Sequence, residues 1–222
     1  MPNISTIAIV GGTGSLGSGL ARLWSLAGYR VVLGSRSKER AESVAATLGG
    51  PGRCVSADDN LGASRSADII VLAVPFAAHD SLVDEIKPAV PGKIVVDTTV
   101  PLVPPKVSIV QLPIGGSPAV VAQRMLGPTA RVVAAFHNVG AAKLQDGCKA
   151  DCDVLVFGDD AEARAEVIRL AAAVATRGVD GGMLANAAAA EALTSVLIAI
   201  NRRYKIPGAG IRITGLPPVD VR

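Results

Sequence analysis

Three glycines with the spacing of a dinucleotide-binding turn lie near the start of the chain. Gly12, Gly14 and Gly17 fit the pattern G-x-G-x-x-G, directly after an apolar run and before a stretch with helical periodicity. In that context the first glycine permits a tight turn, the second lets the backbone approach a pyrophosphate, and the third lets the helix pack against the strand. The free N–H groups of residues 13–16, helped by the helix dipole, would then bind the anion. We therefore expect the pyrophosphate to be held by Gly12, Thr13, Gly14, Ser15, Leu16 and Gly17.

The end of the second predicted strand indicates which nucleotide binds. Proteins that prefer NAD usually carry Asp or Glu there to accept from the ribose 2′-OH, whereas this chain continues with Ser35, Arg36, Lys38 and Arg40. A carboxylate would repel a 2′-phosphate, while a guanidinium can bind one through two parallel hydrogen bonds. We therefore predict that Ser35, Arg36 and Arg40 bind the 2′-phosphate of NADP(H). A solvated basic start of a helix is the alternative interpretation.

Few other residues are candidates for chemistry. His79 and His137 are the only histidines. An imidazole can donate to an anion that develops on an acceptor, which makes His137 a candidate catalytic residue, although a structural role is open for it and is expected for His79. The three cysteines include no CxxC pair, so no metal site is predicted.

Short β-branched runs alternate with helical stretches along the chain. Strands are predicted over 7–10, 31–33, 69–74, 94–96, 132–135 and 154–157, with short ones near 55 and 179. Helices are predicted over 16–26, 38–48, 58–66, 79–86, 120–126, 160–175 and 184–204, and the proline-rich residues 101–118 are expected to form an irregular loop. This alternation favours an α/β fold, a Rossmann-type doubly wound parallel sheet with a small C-terminal helical portion. We expect residues 1–135 to form the NADP-binding domain, and residues 136–222 to complete the substrate cleft and contribute a dimer interface.

Composition excludes several classes of function. The 222 residues carry a net charge of only +3 and no long Lys/Arg run, so no nucleic-acid partner is expected. The start of the chain lacks the features of a signal peptide. Residues 183–200 are apolar but include Asn186 and Glu191, which favours a buried helix over a membrane span. A cytoplasmic protein without a membrane partner is expected.

Eight separate segments resemble the NADPH-dependent reductases of coenzyme F420, an 8-hydroxy-5-deazaflavin. They are VGGTGSLGSGLA at 10–21, VVLGSR at 31–36, DIIVLAVP at 68–75, KIVVD at 93–97, VVAAFHNV at 132–139, VLVFGDD at 154–160, LANAAAAEALTSVLIAINRRY at 184–204 and GIRITGLP at 210–217. The glycine turn alone fits many dehydrogenases, whereas this combination spans almost the whole chain in order. The resemblance implies reversible hydride transfer between NADPH and F420, a small-molecule acceptor, by a protein that is usually a homodimer.

The resemblance also implies roles for residues of the cleft. The nicotinamide side would be lined by Val74, Pro75, Val100 and Ala141. His137 and Asn138 would border the deazaflavin. Residues 101–118 differ from a typical member of the family, and two other functions stay open. One is an NADP(H)-binding redox sensor module, and the other is a Rossmann reductase of a different acceptor such as ferric iron or a flavin.

Overall fold

The chain folds around an eight-stranded sheet, and the computed structural model describes residues 5–217. The strands are β1 (Thr6–Val10), β2 (Arg30–Ser35), β3 (Cys54–Asp59), β4 (Ile69–Leu72), β5 (Ile94–Asp97), β6 (Arg131–Ala134), β7 (Ala150–Gly158) and β8 (Ala175–Asp180). They lie in the order β3-β2-β1-β4-β5-β6-β7-β8. The first six are parallel, and their order is that of the Rossmann fold. The predicted fold class is confirmed.

Eight α-helices connect or follow these strands within the described residues. They are α1 (Ser15–Leu26), α2 (Lys38–Leu48), α3 (Asn60–Ser66), α4 (His79–Ile86), α5 (Pro118–Leu126), α6 (Ala141–Leu144), α7 (Ala161–Val174) and α8 (Ala187–Tyr204). Aspartates at the predicted helix starts act as caps, since Asp59 accepts from the amide of Gly62 (2.7 Å) and Asp160 from that of Ala163 (2.7 Å). Residues 98–117 contain neither helix nor strand, which confirms the predicted irregular loop.

Alternating side chains of the central strands cover both faces of the sheet. In β4, Ile69 and Val71 belong to one core cluster, whereas Ile70 and Leu72 belong to the other. The first cluster includes the apolar sides of α1, α2 and α7, and the second those of α4 and α5. Burial on both faces explains why these strands read as continuous apolar runs. It also fixes the carboxyl ends of the strands at a common edge, where the candidate site lies.

The part of the chain after residue 135 extends this sheet. β7 runs antiparallel to β6, pairing Val133 with Gly158 and Ala134 with Phe157. The connection from β6 to β7 enters β7 at the edge where β6 ends, and β7 is therefore antiparallel to β6. The connection from β7 to β8 contains α7 and crosses to the other edge, so that β8 is parallel to β7. Trp24 of α1 donates from Nε1 to the carbonyl of Leu170 (3.0 Å) in α7, so the two predicted portions share one core. Residues 1–4 and 218–222, the ends of those portions, lie outside the described residues.

The last helical stretch has an apolar composition. Leu184–Tyr204, a 3-10 turn followed by α8, is the one described helix long and apolar enough to cross a membrane, with a mean hydropathy of 1.4 and 33% of its window buried. Core helices of soluble proteins meet the same criterion. Its buried side carries Glu191 and Ser195 as well as apolar residues, and Glu191 bonds to Ser117 at the start of α5.

Candidate functional site

A first cavity of about 330 Å³ opens at the carboxyl ends of β1, β2 and β4. It is lined by Gly11, Thr13, Gly14, Ser35, Arg36, Arg40, Asn60, Ala73, Val74, Pro75, Ala78, Ser81, Leu82 and Glu85. Ligands of open α/β sheets bind at this edge. The structure thus brings together residues that the sequence assigned to three different parts of one nucleotide.

The glycine turn has the packing that the pattern predicts. A Cβ on Gly17 would lie 2.6 Å from Cα of Gly12, so the absence of both side chains lets α1 approach the turn. Gly14 differs, because a Cβ there would meet nothing in the described chain closer than the Gly11 carbonyl at 3.9 Å. Internal packing therefore does not require glycine at position 14. Open space at this position suits the close approach of a ligand.

The N-terminus of α1 leaves its amides available. Gly14 is the N-cap residue, and no side chain accepts a hydrogen bond there. Ser15 is exposed and Leu16 is half-buried against the core. The first N–H groups of a helix have no partner within the helix. They carry partial positive charge at the mouth of the first cavity, which favours an anion.

Positive charge follows the second strand. Arg36 and Arg40 line the first cavity, are exposed and form no ion pair within residues 5–217. Lys38 is different, because its Nζ lies 3.1 Å from the carboxylate of Asp58. Ser35 is buried at the end of β2. Two unpaired guanidiniums beside a serine can hold a phosphate, whereas the charge of Lys38 is already balanced.

Asn60 is a cavity residue that the sequence analysis missed. It is buried at the first position of α3, where its Oδ1 accepts from the amide of Gly11 (3.3 Å) and its Nδ2 donates to Glu85 (3.2 Å). It therefore fixes the start of the glycine turn from the side. Its only signal in the sequence is its place after the cap Asp59, and its partners are 49 and 25 residues away.

A second cavity of about 320 Å³ lies beside the end of β6 and α8. It is lined by Leu102, His137, Asn138, Val139, Gly140, Ala141, Thr194, Leu197, Ile198, Asn201, Pro207, Gly208 and Ala209. The sequence-predicted residues His137, Asn138 and Ala141 meet here. Val100 is half-buried and lines neither cavity. Small and apolar side chains make up most of the wall, which suits a flat ring.

His137 is buried with one ring nitrogen unpaired. Its Nε2 has no hydrogen-bond partner among the described residues, and its carbonyl accepts from Thr194 of α8 (2.9 Å). Burial lowers the pKa of His137 to about 4, against a smaller opposing effect of Asp97, so the ring is neutral at pH 7. The preceding Phe136 has φ of 69°, a conformation that is strained for an aromatic residue. Its ring packs edge-on against Trp24 at 5.7 Å, which helps to hold it.

The other histidine belongs to a buried polar cluster between α4, β5 and α8. His79 donates from Nε2 to Asp97 (2.8 Å) and from Nδ1 to Asp80 (2.7 Å). Burial alone would lower the pKa of His79, but the two carboxylates raise it to about 9. Burial raises the pKa of Glu191 to about 7, despite the hydrogen bond from Ser117, and the negative charge of Asp97 adds to this rise. A structural role for His79, as expected from the sequence, fits this setting.

Contacts between α1 and α6 link the walls of the two cavities. α6 begins at Ala141, in the wall of the second cavity, and packs against α1. Gln145, which follows α6, donates to the carbonyl of Ser15 (2.5 Å). The loop that bears His137 is therefore joined to the helix that starts at the glycine turn.

Comparison with known proteins identifies relatives that cover nearly the whole chain. Residues 6–101 match the family model described as NADP oxidoreductase, coenzyme F420-dependent. The F420-dependent NADP reductase of Methanocaldococcus jannaschii is 39% identical over 221 residues, 95% of this chain and 98% of the relative. That of Methanothermobacter thermautotrophicus is 35% identical over 224 residues, 96% of this chain and 97% of the relative. A solved structure of a candidate F420-dependent NADP reductase from Arthrobacter sp. FB24 superposes with a TM-score of 0.77 at 24% identity, covering 96% of this chain and all of the other (100%).

Proposed function

Since the chain belongs to the F420-dependent NADP reductase family, we propose that it transfers a hydride between NADPH and coenzyme F420. One structural observation carries the proposal for the nucleotide. The first cavity is lined by a glycine turn with free helix amides and by two arginines without an ion-pair partner among the described residues, and Val74 and Pro75 also line it. We name it the nucleotide cavity.

The phosphate groups of NADP(H) have matching residues in or near the nucleotide cavity. The amides of residues 13–16 would hold the pyrophosphate, and Ser35, Arg36 and Arg40 the 2′-phosphate. The space left at Gly14 supports this assignment, because no internal contact explains it. Asn60 would act indirectly, by holding the amide of Gly11.

The nicotinamide is assigned to the boundary between the two cavities. Val74 and Pro75 line the nucleotide cavity, Ala141 lines the second one, and Val100 is half-buried in the loop after β5. The contact of α6 with α1 supports a shared boundary. We assign the deazaflavin to the second cavity, named the acceptor cavity from here on.

The protein contributes mainly position and exclusion of water. NADPH supplies the hydride when it is bound, and hydride transfer requires two rings to face one another at close range. The small residues Gly140 and Ala141 leave room for such an approach. His137 is the candidate catalytic residue, because its neutral ring has a free Nε2 in the wall of the acceptor cavity. In the tautomer with its proton on Nε2, the ring would donate a hydrogen bond to negative charge that develops on the acceptor.

The proposal is tested by mixing the purified protein with NADPH and F420 and following the absorbance of both. Loss of oxidised F420 together with NADPH is expected. A flavin and a ferric chelate, supplied in parallel, serve as competing acceptors. Turnover with either of them but not with F420 would assign the protein to a different reductase class, and tight NADPH binding without any turnover would favour a redox sensor.

We further propose that the protein acts as a cytoplasmic homodimer. Five large apolar side chains are exposed in the loop between β5 and α5: Val103, Ile109, Val110, Leu112 and Ile114. Exposed apolar surface of this kind is typical of contact sites. Arg202 of α8 donates to Ser108 of the same loop (3.1 Å), so the loop and α8 would form one surface for a second copy. The three cysteines are unpaired thiols, as is usual in a reducing compartment.

A further inference from the structure

Residues 207–217 run without helix or strand along β7, and we call them the strap. The strap begins after α8, where the amide of Ala209 donates to Asn201 (2.6 Å). Further on, the carbonyl of Ile211 accepts from the backbone amide of Asp153 (2.8 Å). β6 pairs only with the last residues of β7, so the strap occupies a length of β7 that β6 does not reach.

One ion pair, between buried Asp153 and half-buried Arg177, holds the strap in place. The side chain of Asp153 is fully buried. Arg177 of β8 donates two hydrogen bonds to it, from Nε to Oδ1 (3.1 Å) and from Nη2 to Oδ2 (3.2 Å). The same carboxylate accepts from the amide of Ile213 (2.7 Å). Arg177 also donates to the carbonyls of Ile213 (3.1 Å) and Pro217 (2.7 Å). A planar guanidinium has enough donors, in fixed directions, to hold the carboxylate and two carbonyls together.

Asp153 also contacts another part of the wall of the acceptor cavity. Its backbone carbonyl accepts from Nδ2 of Asn138 (2.8 Å), a buried contact. Asn138 lies in the wall that contains His137, while residues 207–209 of the strap form another part of the same cavity. Asp153 therefore bonds both to Asn138 in the cavity wall and to the strap, although neither Asp153 nor Arg177 lines the cavity.

We propose that the Asp153–Arg177 pair is a positioning device that sets the fit of the acceptor cavity by fixing the strap. The pair touches neither substrate, and it acts through residues 207–209 and through Asn138. This inference rests on the proposed function, because it takes the acceptor cavity to be the F420 site. It predicts that loosening the pair weakens binding of F420 and leaves that of NADPH nearly unchanged, since the strap does not line the nucleotide cavity.

Arg177→Met tests the inference, because it keeps the apolar stem and removes every donor. Arg164→Met is a matched control. Arg164 of α7 pairs with Asp180 (2.9 Å) of β8, the strand that carries Arg177. Its exposed fraction of 17% is close to the 20% of Arg177, but it bonds to no residue of the strap. Arg177→Lys restores the charge without the bidentate geometry and serves as the milder variant if Arg177→Met folds poorly.

Steady-state kinetics and amide hydrogen exchange give two independent readouts. Arg177→Met is expected to raise the KM for F420 roughly tenfold, equivalent to about 1.4 kcal/mol, with the KM for NADPH within about twofold. Arg177→Lys should fall between it and the wild type, and exchange across residues 207–217 should quicken only in the Arg177 variants. An unchanged KM for F420, or parallel rises for both substrates in the Arg177 and Arg164 variants, would overturn the inference. If the wild type does not turn over F420, the proposed function fails, and amide hydrogen exchange alone then tests the inference. Unaltered protection of the strap in Arg177→Met would show that the Asp153–Arg177 pair does not fix the strap.

Discussion

The buried carboxyl of Glu191 makes the stability of the protein depend on pH in a way that one substitution removes. Glu191 is 1% exposed, its Oε1 accepts from Ser117 (2.7 Å), and its Oε2 has no partner among the described residues. Burial, with a smaller contribution from Asp97, raises its pKa from 4.5 to about 7. Each pKa unit corresponds to about 1.4 kcal/mol. Ionising Glu191 in the folded protein therefore costs about 3 kcal/mol more than in the unfolded chain.

The sign of the effect follows from the raised pKa. Below about pH 4.5 Glu191 is neutral in both states and imposes no penalty, and the penalty grows as pH rises and is complete above about pH 7. Glu191→Gln keeps the shape and stays neutral. Relative to the wild type, this variant should gain up to about 3 kcal/mol in the free energy of unfolding between pH 5 and pH 8.

Urea unfolding at several pH values, followed by the fluorescence of the buried Trp24, measures this difference. Glu162→Gln, at an exposed position of α7, is the control and should run parallel to the wild type. Protonated His79 also stabilises the folded protein, and this contribution is lost as pH rises through its pKa of about 9. The loss is the same in the wild type and in Glu191→Gln, so it cancels in the comparison. Curves for Glu191→Gln and wild type that stay parallel from pH 5 to pH 8 would refute the reasoning.

Three further predictions concern the cavities and the dimer. Gly14→Ala should keep the wild-type melting temperature but weaken NADPH binding in calorimetry, whereas Gly17→Ala, whose Cβ would lie 2.6 Å from a backbone atom, should lower stability by about 1–3 kcal/mol; the reverse pattern would contradict the assigned roles. His137→Gln should lower kcat with F420 by about 100-fold without changing the Kd for NADPH, and an unchanged kcat would exclude a catalytic role. Ile114→Lys, at a residue with 102% relative exposure, should shift a dimer to monomer in analytical ultracentrifugation, and a wild type that sediments as a monomer would contradict the dimer.

Local signals in the sequence predicted the fold of the nucleotide-binding half. Each apolar run there forms a buried strand, and the residues after it lie at the carboxyl edge of the sheet by the geometry of parallel strands. Gly14, Ser35 and Arg36 could therefore be expected in one place, and the structure puts them in one cavity. Several predicted boundaries were wrong: β4 ends at Leu72 and not at residue 74, and β7 begins at Ala150 and not at residue 154. Ala175 begins β8 instead of ending α7.

Long-range pairings could not be predicted in the same way. The direction of β7 depends on the path of the connection after β6, which carries no periodic signal. The pairing of Asp153 with Arg177 spans 24 residues, and that of His79 with Asp97 spans 18. A single sequence does not show which buried charges meet, because each of these residues also fits a solvated loop or helix end. Val100, assigned by resemblance, lines neither cavity, and its role stays a prediction.

Binding of NADPH and NADH to the wild type and to Arg36→Ala, measured by isothermal titration calorimetry, tests the central claim most directly. A hydrogen bond to a charged group contributes about 1.5–3 kcal/mol, so the affinity for NADPH should fall roughly ten- to 150-fold. The affinity for NADH should change by less than about twofold. Equal losses for both nucleotides, or a wild type that binds NADH as tightly as NADPH, would contradict the account.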